Sequence, residues 1–268
     1  MDIQTLQGQP VSRLGLGGHQ TMETEFVSIA YGAGINYFFF YNLSYRPLLE
    51  GLKPILADNR ETVAIATGSV DRDPVNLRRY LDQVRRQLET DMIDVFFVEY
   101  VSPSDDIDQV HTLLDELHDW KRKGWIRYVG ATAHSRPLSV DLIQGEQCEV
   151  LMHRYNMAHR SAEETVLPTA LGVESPIVAF TCTRWGALLK GHPNWSGAVP
   201  RATDCYRFCL HHPAIRLALT APATKAELEE NLTVLSASKL SPEEITNWRA
   251  YGDLIYGTGQ DTFETKWL

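Results

Sequence analysis

Basic residues are the scarcer charge in this chain, with 25 Lys and Arg against 34 Asp and Glu, a formal net charge of −9 over 268 residues. Nucleic acid and anionic membranes demand a basic footprint, so neither is expected as a partner. Only four cysteines are present, Cys148, Cys182, Cys205 and Cys209, too few for a disulfide scaffold at this size. No apolar run approaches the ~20 residues of a transmembrane helix. The start, Met1-Asp2-Ile3-Gln4, has neither a basic n-region nor an apolar h-region and predicts no signal peptide. Linkers rich in Pro, Gly or Ser are missing, as are low-complexity tracts and short repeats. What remains is one domain, residues 1–268, expected in the reducing cytoplasm and large enough to bury a core without metal or disulfides.

Short apolar runs alternate with helical patterns along the chain. The runs cover 13–18, 36–41, 62–67, 94–99, 127–132, 149–152, 177–181 and 216–220, and most are continuous, as in strands buried on both faces. Residues 3–11, with Gly8 inside, read as an N-terminal β-hairpin. Asp73-Pro74 supplies a helix cap, and Leu77, Leu81, Val84 and Leu88 then mark one face. Val110, Leu113, Leu114 and Leu117 repeat the pattern in a helix ending near Gly124, and Ser241-Pro242-Glu243-Glu244 starts a closing helix. Eight strands alternating with helices predict an α/β fold, a closed (β/α)8 TIM barrel, with an open doubly wound sheet as the alternative. Chemistry then belongs at the C-terminal strand ends.

The glycines of Leu14-Gly15-Leu16-Gly17-Gly18 do not make a dinucleotide fingerprint, because the next strand ends in Tyr41-Asn42 rather than an acidic residue. Together with Gly34-Ile35-Asn36-Tyr37-Phe38, Val63-Ala64-Ile65-Ala66-Thr67 and Ile93-Asp94-Val95-Phe96-Phe97, they form an ordered set of motifs. Gly124-Trp125-Ile126-Arg127-Tyr128-Val129-Gly130, Arg154-Tyr155-Asn156 and Leu228-Glu229-Glu230-Asn231-Leu232 extend the set. In these stretches the chain resembles the aldo-keto reductase superfamily over nearly its whole length. The resemblance implies an NADPH-dependent carbonyl reductase with an Asp, Tyr, Lys and His tetrad.

The tetrad positions are occupied differently. On that resemblance Phe39 stands for the Asp, Gly68 for the Lys, Glu99 for the His and Ser44 for the Tyr, with Tyr45 one residue on. Without a neighbouring cation a tyrosine keeps a pKa near ~10 and donates poorly as an acid–base catalyst at neutral pH. The implied NADP positions are mixed. Phe180 would stack on nicotinamide, Thr181 follows it, Glu230 and Asn231 would contact adenine, and Lys225 is the cation near the 2′-phosphate. Against them, Met152 and Ala133 replace the carboxamide partners, Glu227 stands where a cation is expected, and Pro222 removes an N–H.

Polar and cationic residues gather at the later strand ends: His134 and Arg136, then His153, Arg154 and Asn156, then Arg184 and Trp185. Guanidinium groups converging on a barrel mouth suit a small anionic substrate, a carboxylate or phosphate, although each arginine could instead pin a loop to Glu163, Glu164 or Asp204. Glu99, by strand alternation pointing into the barrel, is the candidate general acid or base, with His134 and Tyr45 as further proton donors. The chemistry is then a non-redox proton transfer, NAD(P)H-dependent reduction with a non-standard donor, or ligand binding without turnover. Cys205 and Cys209 read as buried thiols rather than metal ligands.

Overall fold

A computed structural model describes residues 2–145 and 147–257; the end of the predicted 1–268 domain lies outside the described residues. Eight parallel strands, β1 (Leu14–Gly17), β2 (Tyr37–Phe40), β3 (Ala64–Ser69), β4 (Ile93–Val101), β5 (Ile126–Ala133), β6 (Val150–Arg154), β7 (Ile177–Phe180) and β8 (Ile215–Thr220), close into a barrel in chain order. The seam pairs Leu14 with Ala218 and Leu16 with Thr220. Helices α1 (Glu25–Gly32), α2 (Arg46–Asn59), α3 (Pro74–Leu88), α4 (Ile107–Arg122), α5 (Arg136–Gln144), α6 (Val166–Gly172), α7 (Ala202–His211) and α8 (Lys225–Leu232) follow strands one to eight, and α9 (Pro242–Tyr256) follows α8. Among the described residues no helix is long and apolar enough to cross a membrane.

The continuous apolar runs are explained by two cores. Tyr37, Phe39, Ala66, Phe97, Met152 and Val178 fill the barrel interior, while Phe38, Phe40, Phe96 and Val129 face the helices. Helix starts follow their caps: Asp73 accepts from the Val75 N–H at 2.8 Å, and Ser241 forms a reciprocal capping box with Glu244. The expected hairpin is reduced to one antiparallel bridge, Gln4 to Pro10, because Pro10 has no N–H with which to extend a ladder.

At the N-terminal end of the barrel Asp94, fully buried, accepts from Arg60 at 2.7 Å, Arg127 at 3.0 Å and the Ile65 N–H at 2.8 Å. At the other end α9 fastens the loops after β6 and β7. Arg249 bonds Glu163 at 2.7 Å, the Tyr251 hydroxyl donates to the Leu188 carbonyl at 2.7 Å, and Arg184 donates to the Ile255 carbonyl. Gly252 makes this docking feasible, since a Cβ there would run into the Met157 carbonyl. Gly252→Ala is therefore expected to destabilise the protein by about 1–3 kcal/mol. Chemical denaturation checks this; an unchanged midpoint would show that α9 docks with room to spare.

Candidate functional site

A cleft of about 930 Å³ opens across the C-terminal ends of the strands. The loop after β1 contributes Gly18 and His19, β2 and its loop contribute Phe39, Tyr41 and Tyr45, and Tyr100 and His134 come from β4 and the end of β5. Phe180, Thr181 and Trp185 form the wall after β7, while Thr220, Pro222, Glu227, Glu230 and Asn231 carry it beyond β8 onto α8. Backbone geometry shapes that wall: Thr181, Arg184 and Trp185 all have positive φ, at 54°, 51° and 50°. Such values are uncommon for residues with a Cβ and are concentrated here in one short turn.

One half of the cleft is aromatic. The Tyr41 and Tyr45 ring centroids lie 5.1 Å apart, His134 stacks on Tyr100 at 5.8 Å, and its edge meets Phe180 at 5.3 Å. Burial, helped by the charge of Arg154, lowers the His134 imidazole to about 4, so it is neutral at pH 7. Burial raises the Tyr45 phenol well above its ordinary range, with further contributions from its hydrogen bond to Tyr41 and from the Glu99 charge. Burial, then the Glu99 charge, pushes Tyr100 up to about 12.

Glu99 lies just beneath this surface, 2% exposed, and its Oε1 has no hydrogen-bond partner among the described residues. Burial lifts its carboxyl to about 8; Arg72 opposes this only in part, because its guanidinium is held by Asp105 at 3.1 Å and donates to the Glu99 carbonyl. The space for Glu99 comes from Gly68. A Cβ at 68 would stand 2.7 Å from Glu99 Oε1 and 2.5 Å from the Phe97 carbonyl. Gly68 and Glu99 thus occupy one volume, and a larger residue at 68 requires a different one at 99.

The remaining sequence candidates divide by position. Tyr45, His134, Phe180, Thr181, Trp185, Glu230 and Asn231 line the cleft. Arg136, Arg154 and Arg184 are not on its wall. Arg136 is the exposed first residue of α5, Arg154 ends β6, and Arg184 is buried against the Ile255 carbonyl. The Glu163 and Asp204 carboxylates are held by Arg249 and Arg207. His153 faces away from the mouth, its Nδ1 3.1 Å from Ser139 Oγ in α5, because it alternates with the inward Met152. Asn156 is fully buried and ties loops together, donating to the Thr181 carbonyl at 2.9 Å and accepting from the Ala158 and His159 N–H groups. Lys225 turns to Glu25 at 3.7 Å.

Tyr100, next to the inward Glu99, would by strict alternation face away from the barrel interior. A register shift between Val98 and Val101, with Tyr100 at φ 53° and its N–H bonded to Thr132 Oγ1 at 2.6 Å, breaks the alternation and re-aims the ring. His19 and Arg201 also line the cleft without having been singled out. Among the described residues, no group of three or more His, Cys, Asp or Glu side chains is arranged to hold a metal ion.

Residues 19–195 match the model of the Aldo/keto reductase family. The chain belongs to that family. Its fold is shared with an aldo-keto reductase, AKR11C1, from Bacillus halodurans in its holo form, at 18% identity and a TM-score of 0.78, covering 92% of this chain and 95% of that one. A thermostable aldo-keto reductase, Tm1743, solved with the inhibitor epalrestat, aligns at 19% identity and a TM-score of 0.72 over 91% of this chain and 96% of its own. No curated protein sequence matches the chain. As an aldo/keto reductase family member the protein has its cleft at the end of the barrel where the chemistry of such folds is found.

Proposed function

We propose that this protein is a nicotinamide-dinucleotide oxidoreductase that reduces a carbonyl compound without the Asp, Tyr, Lys and His tetrad of its family. The observation that carries this reading is the make-up of the cleft's two ends. At one end Glu230 Oε1 and Asn231 Oδ1 are buried acceptors without a partner among the described residues, suited to the amino group of adenine. At the other, Phe180 offers a ring face beside a set of neutral hydroxyl and imidazole groups. A bound nicotinamide would supply the hydride.

The protein's part is to hold and deliver the proton that the carbonyl oxygen takes up. Tyr45 and His134, weak acids by themselves, carry O–H and N–H groups into the cleft and pass on a proton drawn from the Glu99 carboxyl, and Tyr100 shares the surface. Glu99 acts through them as a protonated reserve beneath the phenols. It is a positioning and relay residue, since the cleft wall does not include it. Titration of the purified protein with NADH and NADPH, followed by cofactor fluorescence, tests the reading. Saturable binding is expected, and no binding of either at millimolar concentration overturns it.

A second reading keeps the non-redox chemistry on a small anionic substrate, with Glu99 and His134 moving protons. It is favoured by the cationic charge around the end of β6, where Arg154 and Arg184 add to burial in lowering His159 to about 3. On this reading Arg154→Ala weakens binding of a carboxylate or phosphate ligand in calorimetry, whereas equal affinity in both proteins counts against it.

A further inference from the structure

The loop into α8 meets the cleft through Pro222, its first turn through Glu227, and the next turn through Glu230 and Asn231. A helix start of this kind ordinarily welcomes phosphate, because free N–H groups and the helix dipole both favour an anion. Here those resources are used in part. The Thr224 hydroxyl accepts from the Glu227 N–H at 3.2 Å, the Glu227 carboxylate accepts from the Ala223 N–H at 2.7 Å, and Pro222 has no N–H to offer. The one lysine of this turn, Lys225, is paired with Glu25 at 3.7 Å. The helix start therefore carries its own carboxylate.

An independent observation comes from the following turn. Asn231, on the cleft wall, is 4% exposed, and its amide nitrogen donates to Thr220 Oγ1 at 2.9 Å, which leaves its buried Oδ1 without a partner among the described residues. Glu230 Oε1 is in the same condition. Residues three and four apart share a helix face, so Glu227, Glu230 and Asn231 present one acceptor-rich, negatively charged surface. Such a surface calls for N–H and O–H donors and repels phosphate.

Resting on the dinucleotide reading above, we infer that this end of the cleft selects the adenosine ribose bearing free hydroxyls and rejects the one bearing a phosphate, with Glu227 as the discriminating residue. The protein is thus an NAD(H) binder within a family whose resemblance suggested NADP. Arg201, on the α7 side of the cleft, is placed to favour the diphosphate common to both dinucleotides and does not discriminate between them.

Fluorescence titration of the wild-type chain with NADH and NADPH is the first test, and NADH is expected to bind at least about tenfold more tightly. Glu227→Gln should narrow that ratio by improving NADPH binding, and Glu227→Arg should reverse it; Arg201→Ala should weaken both ligands alike. Equal or tighter NADPH binding by the wild type, or a ratio unmoved in both Glu227 variants with native circular dichroism, overturns the inference while leaving the dinucleotide reading intact. Binding of neither dinucleotide removes the reading and the inference together.

Discussion

For the proposed reductase, Glu99→Gln is expected to lower carbonyl reduction by NADH about 10²-fold or more, as loss of a group in proton transfer does. Its pH dependence separates a relay role from a packing role. The groups around Glu99 are Arg72, already held by Asp105, and the phenols of Tyr45, Tyr80 and Tyr100, which its charge raises. With the carboxyl lifted to about 8, wild-type kcat should fall on the alkaline side as the proton is lost, and the glutamine variant should lack that limb. Stability should carry the signature of the same proton. Between the ordinary value of 4.5 and about 8 the native state keeps a proton that the unfolded chain releases, so the Glu99 contribution to stability declines with rising pH and levels off above 8. Glutamine has no such dependence, and the variant should gain on the wild type by roughly 4 kcal/mol from pH 4 to pH 9. If the wild type and the glutamine variant share the same pH profiles of kcat and of unfolding free energy, the assignment fails.

Asp94→Ala is expected to cost about 3–5 kcal/mol, a large part of the stability of a single domain. The carboxylate is fully buried and ties Arg60, Arg127 and the Ile65 N–H across three adjacent strands. Removing it leaves two cations facing each other at the barrel floor and an N–H without its acceptor. The arginine side chains, 16% and 22% exposed, recover some hydration, which places the loss nearer the lower figure. Asp82 serves as the control: its pair with Arg78 lies on the surface of α3, both side chains 35% exposed, and Asp82→Ala should stay within about 0.5 kcal/mol. Urea denaturation of both variants checks the contrast, and a neutral Asp94→Ala would mean that the buried network contributes no net stability.

The barrel was legible because its strands are buried on both faces and its helices begin at strong caps. Asp73-Pro74 and Ser241 with Glu244 announce their helices whatever the tertiary surroundings. The inward aim of Glu99 followed from alternation with Val95 and Phe97. Tyr100 escaped the same rule because a bulge resets the alternation immediately after Glu99. His153 was open to correction from sequence, since sharing a face between Met152 and Arg154 already turns it outward. Arg184 and Asn156 were harder: residue type advertises anion binding or polarity, but a left-handed turn and an adjacent carbonyl decide what each touches. Composition is equally silent on Gly68, whose significance is the volume it leaves for a carboxyl on the next strand.

The seam between β1 and β8 has a thermodynamic consequence. It joins residues from the two ends of the barrel sequence, so closing it constrains nearly the entire chain, the longest loop the fold must shut. His19 Nε2 sits 2.8 Å from the Pro222 carbonyl across that join, and both residues line the cleft. A ligand seated there grips both margins of the ring at once and acts as a reversible cross-link. Occupancy of the cleft and closure of the barrel are then linked equilibria, each drawing the other forward.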